Sequence, residues 1–304
     1  MNPRLGNEPA LAPLIEQLRA GELSLADPPE KARADFEEML APLPVPEGIE
    51  FSEIELGGIP GLKATYPEAD ESRILLYFHG GGFVIGSANA YRVLAANLAR
   101  SAGMTGYAVD YRLAPEHLFP AAVDDCVAAY RALLASGIEA GNIVLAGDSA
   151  GGGLVASSLI ALRDAGDPLP AAAVLLSPWV DLRLEAPSIE ASKSDDPALD
   201  YAGLVACVAH YVTQESLRDP LASPVLGDLS GLPPLLIQVG STEILLDDSI
   251  ALARAASMAG TSVRLDIWPN MPHVWPTFSF MLEAGQVALE DAGAFMKDAL
   301  ERAG

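Results

Sequence analysis

Residues 142–166 read NIVLAGDSAGGGLVASSLIALRDAG. The run up to Asp148 is short, apolar and of strand length, and apolar residues recur at helical spacing beyond Gly153. Between the two, Gly147, Asp148, Ser149, Ala150 and Gly151 spell G-x-S-x-G. On a strand-to-helix turn that pattern holds a serine hydroxyl out at the end of a sheet, in a strained backbone crowded by helix and strand. The same region offers a rival, because Gly151, Gly153 and Ala156 satisfy G-x-G-x-x-A. A dinucleotide fingerprint belongs on the first βαβ unit, with an acidic residue closing the next strand. Here it follows the fifth candidate strand, and the next one ends in Leu176 and Ser177. The serine reading is the stronger.

Working outward, β-rich runs are predicted at 51–56, 62–66, 73–79, 104–110, 142–148, 171–177, 234–240 and 262–268. Helical patterns such as 91–103 and 249–260 lie between the later ones. Several runs are apolar on both faces, as strands of a parallel sheet covered by helices must be. The alternation predicts a doubly wound α/β fold with right-handed crossovers. Two segments break it. Residues 1–45 read as two helices stopped by Pro42, Pro44 and Pro46. Residues 180–225 carry the acidic SKSDDPALD and the helical LVACVAHYVTQESL, an interval too long for a loop. The expected division is a core of 46–179 and 226–304, with 1–45 and 180–225 packed together as a helical cap.

Reactive groups of such folds sit at the carboxyl ends of strands. The run 73–79 ends in His79-Gly80-Gly81-Gly82-Phe83. Three bare glycines leave backbone N–H groups free to point into a site. The N–H groups of Gly81, Gly82 and Ala150 are therefore candidates to converge on a developing oxyanion. A serine hydroxyl needs a base. Of four histidines, His79 belongs to the glycine loop, His117 lies in a turn-rich stretch and His210 in the cap helix. His273, in a loop after the last strand, is the candidate base. The base needs an acid, and the loop after 234–240 supplies Glu243, with Asp247 and Asp248 four and five residues on. Those two aspartates read as the first turn of a helix, where carboxylates suit the helix dipole. Glu243 is the favoured acid and Asp247 the alternative. The order Ser149, acid, His273 is that of the α/β-hydrolases. No HxH, HExxH or CxxC offers a metal site, and no cofactor is expected.

HGGGF (79–83), DYRLAPEHLFPAA (110–122), GDSAGG (147–152), DPLASP (219–224), the acid loop and PHVW (272–275) together resemble the hormone-sensitive-lipase-like branch of the α/β-hydrolases, the bacterial HGGG esterases. The resemblance spans roughly residues 45–304. It implies an eight-stranded, mostly parallel sheet with helices on both faces and a helical cap, with Ser149 as nucleophile, His273 as base and Gly81, Gly82 and Ala150 as oxyanion hole. Many relatives carry Asp-Pro-Leu where this chain has Glu243-Ile244-Leu245. The function implied is hydrolysis of small acyl esters through an acyl-enzyme, with lactone hydrolysis on the same triad as the alternative. Plant gibberellin receptors keep the fold but lack the histidine, which disfavours a binding role here. Cap residues expected to face the acyl pocket are Leu14, Leu18, Phe36, Leu204, Val208 and Tyr211, with Phe83 from the glycine loop.

Composition excludes other classes. Half of the 304 residues are apolar, enough for a sizeable core. The 41 acidic against 18 basic side chains give a net charge of −23, which repels nucleic acid and anionic membrane surfaces. No apolar stretch approaches the roughly 18 residues of a membrane span, and the first twenty residues lack a secretory apolar region. Two cysteines cannot build a disulfide framework, so a cytoplasmic home is expected. Relatives often dimerise, so a homodimer is expected too.

Overall fold

The structure, a computed structural model, describes residues 6–21, 23–192 and 196–303. Lys193, Ser194 and Asp195 of the acidic loop, and residues 1–5, lie outside the described residues. Eight strands form one sheet: β1 (Glu50–Leu56), β2 (Ile59–Thr65), β3 (Asp70–Phe78), β4 (Met104–Val109), β5 (Ile143–Asp148), β6 (Ala172–Leu176), β7 (Leu235–Gly240) and β8 (Val263–Trp268). Their order is β1-β2-β4-β3-β5-β6-β7-β8. The first two pairings are antiparallel and the rest parallel. Every strand expected from the apolar runs is present.

Burial follows position in the sheet. Each residue of β5, β6 and β7 is buried, as strands covered on both faces must be, whereas edge strand β1 is half-exposed along its length. The helices are α1 (Leu11–Ala20), α2 (Pro29–Leu40), α3 (Arg92–Ala102), α4 (Ala121–Ala135), α5 (Ala150–Ala165), α6 (Pro187–Ser192), α7 (Tyr201–Tyr211), α8 (Leu246–Met258) and α9 (Glu283–Ala303). Helices α3 and α9 pack together, α4 packs on α5, and α8 lies on β7 and β8. Helix α5, with all but a few of its residues buried, runs back beneath the centre of the sheet.

The interval 180–225 holds α6, α7 and short 3₁₀ turns at 216–218 and 224–226. Helix α7 is fastened at both ends. Asp200 caps it by accepting from the Gly203 N–H at 2.8 Å, and the Tyr211 carbonyl accepts from the Phe119 N–H at 2.9 Å. The chain before α2 reaches α7 through Leu25, which lies against Gly203. Helix α2 grips the segment after the glycine loop. Arg33 donates to the carbonyls of Val84 at 2.8 Å and Ala114 at 2.9 Å and pairs with Glu116, and Glu37 accepts from the Ser87 hydroxyl. Helix α1 goes elsewhere. Leu14 and Leu18 join Trp268, Met271, Trp275 and Leu282 in an apolar cluster separate from the main core, so the expected place for them in the acyl pocket is corrected. The three-to-four spacing of α1 shows only that one face is buried, and Trp268 and Trp275 supply the larger apolar surface to cover it.

Candidate active site

Ser149 sits between β5 and α5 with φ 51° and ψ −123°, a left-handed conformation that serine adopts only under constraint. The constraint is packing. The Ser149 N–H bonds the Leu176 carbonyl and its own carbonyl accepts from Trp179 and Gly153. A Cβ on Gly151 would lie 2.0 Å from the Phe78 carbonyl oxygen, so only glycine lets the first turn of α5 pass the end of β3.

Phe78 ends β3 and the glycine loop follows. Gly82 has φ 61°, and a Cβ there would lie 2.5 Å from the Cys207 sulfur of α7, so α7 lies directly over the loop. The Gly81 carbonyl accepts from Val84 and Ile85 at 3.1 and 2.9 Å, turning the loop back on itself. Among the described residues the N–H groups of Gly81, Gly82 and Ala150 have no acceptor. All three are free to meet an oxyanion.

One residue missed in the sequence ties the loop to the turn. Asp148, fully buried beside Ser149, accepts from the Tyr77 hydroxyl at 2.6 Å and the Gly80 N–H at 2.9 Å. Burial raises its pKa to about 6, against the pull of Tyr77 and the charge of His273. The only sequence signal for this role was adjacency to the serine.

His273 and Glu243 meet across the ends of β8 and β7, with Nδ1 2.8 Å from Oε2. The other oxygen, Oε1, accepts from the Gly240 N–H at 2.5 Å and the Ser177 hydroxyl at 2.7 Å. Burial raises the Glu243 pKa despite these bonds. Burial also opposes the imidazolium, but the hydrogen bond and charge of Glu243 outweigh it and the His273 pKa is raised. Asp247 does not reach His273. Its carboxylate accepts from the Ser188 N–H at 2.8 Å, anchoring α6. Asp248 is fully buried and accepts from the Val180 and Asp181 N–H groups, so it does more than serve the first turn of α8 as expected.

The other histidines are placed away from such a pair. His79 is buried, donates from Nδ1 to the Gly80 carbonyl at 2.7 Å, and stacks on Tyr111 with centroids 4.2 Å apart. Burial pushes its pKa down to about 4. His117 is exposed and His210 half-buried. Of the expected pocket residues, Phe83 stacks on Tyr211 at 4.0 Å and 5° and lies 5.8 Å from Trp179. Leu204 is buried and Val208 half-buried in the same core. Phe36 lies instead against Tyr91, at 5.7 Å, behind the glycine loop. Among the described residues no group of three or more His, Cys, Asp or Glu side chains could hold a metal ion.

A family described by the α/β-hydrolase fold matches residues 75–277. The crystal structure of an esterase from the bacterial hormone-sensitive lipase family superposes with TM-score 0.93 and 41% identity, covering 97% of this chain and 99% of that one. The chain belongs to the bacterial hormone-sensitive-lipase family of carboxylic ester hydrolases. An acetyl-hydrolase of Streptomyces hygroscopicus is 51% identical over 233 residues, 77% of this chain and 78% of its own. An esterase of Acinetobacter venetianus is 34% identical over 275 residues, 90% of each chain. The chain thus spans most of its relatives' length, and Ser149, Glu243 and His273 follow the ends of β5, β7 and β8. Among the described residues no helix is long and apolar enough to cross a membrane.

Proposed function

We propose that the protein is a serine carboxylesterase for small acyl esters, with Ser149, His273 and Glu243 as its triad. The observation that carries this reading is the 2.8 Å bond from His273 Nδ1 to Glu243 Oε2. It occupies one ring nitrogen and leaves the other, Nε2, to serve as the base. Ser149 Oγ attacks the ester carbonyl carbon while Nε2 takes its proton. The carbonyl oxygen becomes an oxyanion held by the Gly81, Gly82 and Ala150 N–H groups, a contribution worth several kcal/mol of barrier. Collapse breaks the ester C–O bond, the departing alcohol takes the proton from Nε2, and the acyl group stays on Ser149. Water repeats the sequence and releases the acid.

The substrate is short. The stack of Phe83 on Tyr211, with Trp179 beside it and α7 against Gly82, supports an enclosed acyl pocket walled by Phe83, Leu204, Val208 and Tyr211. Helix α7 and the segment around α2 form the cap of this proposal. Such a pocket suits acyl chains of up to roughly eight carbons. A series of p-nitrophenyl acyl esters, run beside a lactone panel, tests both class and length. Faster turnover of emulsified long-chain triglyceride than of a butyrate ester overturns the short-chain reading, and preference for lactones overturns the open-ester one. Two buried free cysteines support a cytoplasmic location. Edge strand β8, with Ile267 exposed, supports a homodimer, which light scattering tests.

A further inference from the structure

Ser177 follows the last residue of β6 and takes no part in the acyl transfer written above. Its side chain is fully buried and its backbone is left-handed, at φ 47°. Its N–H donates to the Gln238 carbonyl of β7 at 2.7 Å. The hydroxyl has one proton, given to Glu243 Oε1 at 2.7 Å, and it accepts from the Val274 N–H at 3.2 Å. Val274 is the residue after His273 and is itself left-handed, at φ 49°.

We propose that Ser177 is a positioning residue for the triad: one hydroxyl from β6 locks the acid and the backbone of the base loop into a single register. The proposal rests on the esterase reading above. Two donors hold Glu243 Oε1, and they are not equivalent. Gly240 lies three residues before Glu243, so its N–H fixes the carboxylate only within its own loop. Ser177 comes from a different strand and also holds Val274, so it alone of the two connects the acid to the loop that carries His273. A left-handed backbone at a non-glycine residue is costly, and it persists here where it aims the hydroxyl between both partners.

A buried serine that merely fills space predicts lost stability on removal and nothing else. A positioning serine predicts changes at the imidazole. Without its proton the Glu243 charge is less compensated and attracts the imidazolium more strongly, so the proton on the pair is held to higher pH. Without its lone pair the Val274 N–H is left unpaired and the base loop loses its tie.

The test is Ser177→Ala in the full chain, assayed with p-nitrophenyl butyrate between about pH 5 and 9. The expected kcat per active site falls about tenfold to a hundredfold, the worth of a hydrogen bond to a charged group, with KM little changed. The acid limb of kcat/KM moves to higher pH, and the low-field proton resonance of His273 Nδ1–H shifts or broadens. If the alanine variant does not fold, Ser177→Gly removes the same hydroxyl from a backbone that glycine adopts without strain. Wild-type kcat with an unmoved acid limb and resonance overturns the proposal. So does a loss that vanishes once rates are normalised to sites titrated with a fluorophosphonate. A wild-type protein inactive on every ester overturns the esterase reading instead, while the Nδ1–H resonance still decides the role of Ser177.

Discussion

His273 Nδ1 lies 2.8 Å from Oε2 of Glu243, a carboxylate with no exposure to solvent. Removing a carboxylate from water favours its neutral form, yet this one has three donors in the Ser177 hydroxyl, the Gly240 N–H and the imidazole. Oε1 takes the first two and Oε2 takes the imidazole. That relationship makes His273 a stronger base than an ordinary histidine and fixes which of its nitrogens is available.

Ser149→Ala is expected to lower kcat on the order of 10⁶-fold, as loss of a serine nucleophile does, with the fold intact. Mass spectrometry after treatment with a fluorophosphonate should find the label on Ser149 in the wild type and nowhere in the variant. Label on another serine refutes the nucleophile assignment.

Glu243→Gln should cost about 10³- to 10⁴-fold in kcat, because an amide presents N–H to the imidazole and favours the wrong tautomer. Asp247→Asn should leave kcat near the wild-type value, since its carboxylate serves the Ser188 N–H of α6. A crippled Asp247→Asn beside a mild Glu243→Gln would reverse the assignment.

The base must be neutral to accept the serine proton, and the pKa of His273 is raised above the ordinary 6.5. Activity is therefore lost as pH falls through that raised value. The acid limb of kcat/KM should have its midpoint above 6.5. A midpoint at or below 6.5 contradicts the Glu243–His273 coupling.

Gly82→Ala should lower kcat about 10²- to 10³-fold, in the range of losing an oxyanion-hole donor. The added methyl would lie 2.5 Å from Cys207 at a φ of 61°, so the loop must shift and carry its N–H away. Comparing kcat with the thermal midpoint distinguishes this from unfolding. Wild-type kcat would place the oxyanion elsewhere.

Burial raises the Asp248 pKa from 3.8 to about 7, so its ionisation opposes folding. The sign follows from linkage: the penalty is present in full above about 7 and disappears as pH falls below 3.8. Asp248→Asn keeps an acceptor for Val180 and Asp181 and cannot ionise. Its thermal midpoint relative to wild type should be more favourable at pH above 7 than near 4, read by calorimetry across that range. A difference that does not change with pH refutes the assignment.

Strand identity was legible because a parallel sheet demands apolar runs of the right length, and 142–148, 171–177 and 234–240 are such runs. The serine turn and the glycine loop were legible for a related reason. A strained elbow and a bare loop each need glycines at fixed offsets, and offsets are written along the chain. Position 273 could be singled out because the other histidines had other settings.

Contacts between distant segments were not written that way. Helical spacing marked α1 as one-sided, but Leu14 and Leu18 found Trp268 and Trp275 rather than Phe83, because a stripe does not name the surface that covers it. The choice of Glu243 over Asp247 needed the ends of β7 and β8 side by side. Arg33 and Ser177 gave no signal at all and Asp148 only its place before the serine, since a carboxylate, a guanidinium or a hydroxyl acts through what lies within about 3 Å of it, and those partners come from other strands and helices. Local pattern carries backbone requirements along the chain. Which side chain meets which is fixed only when folding brings strand ends together at hydrogen-bond distance.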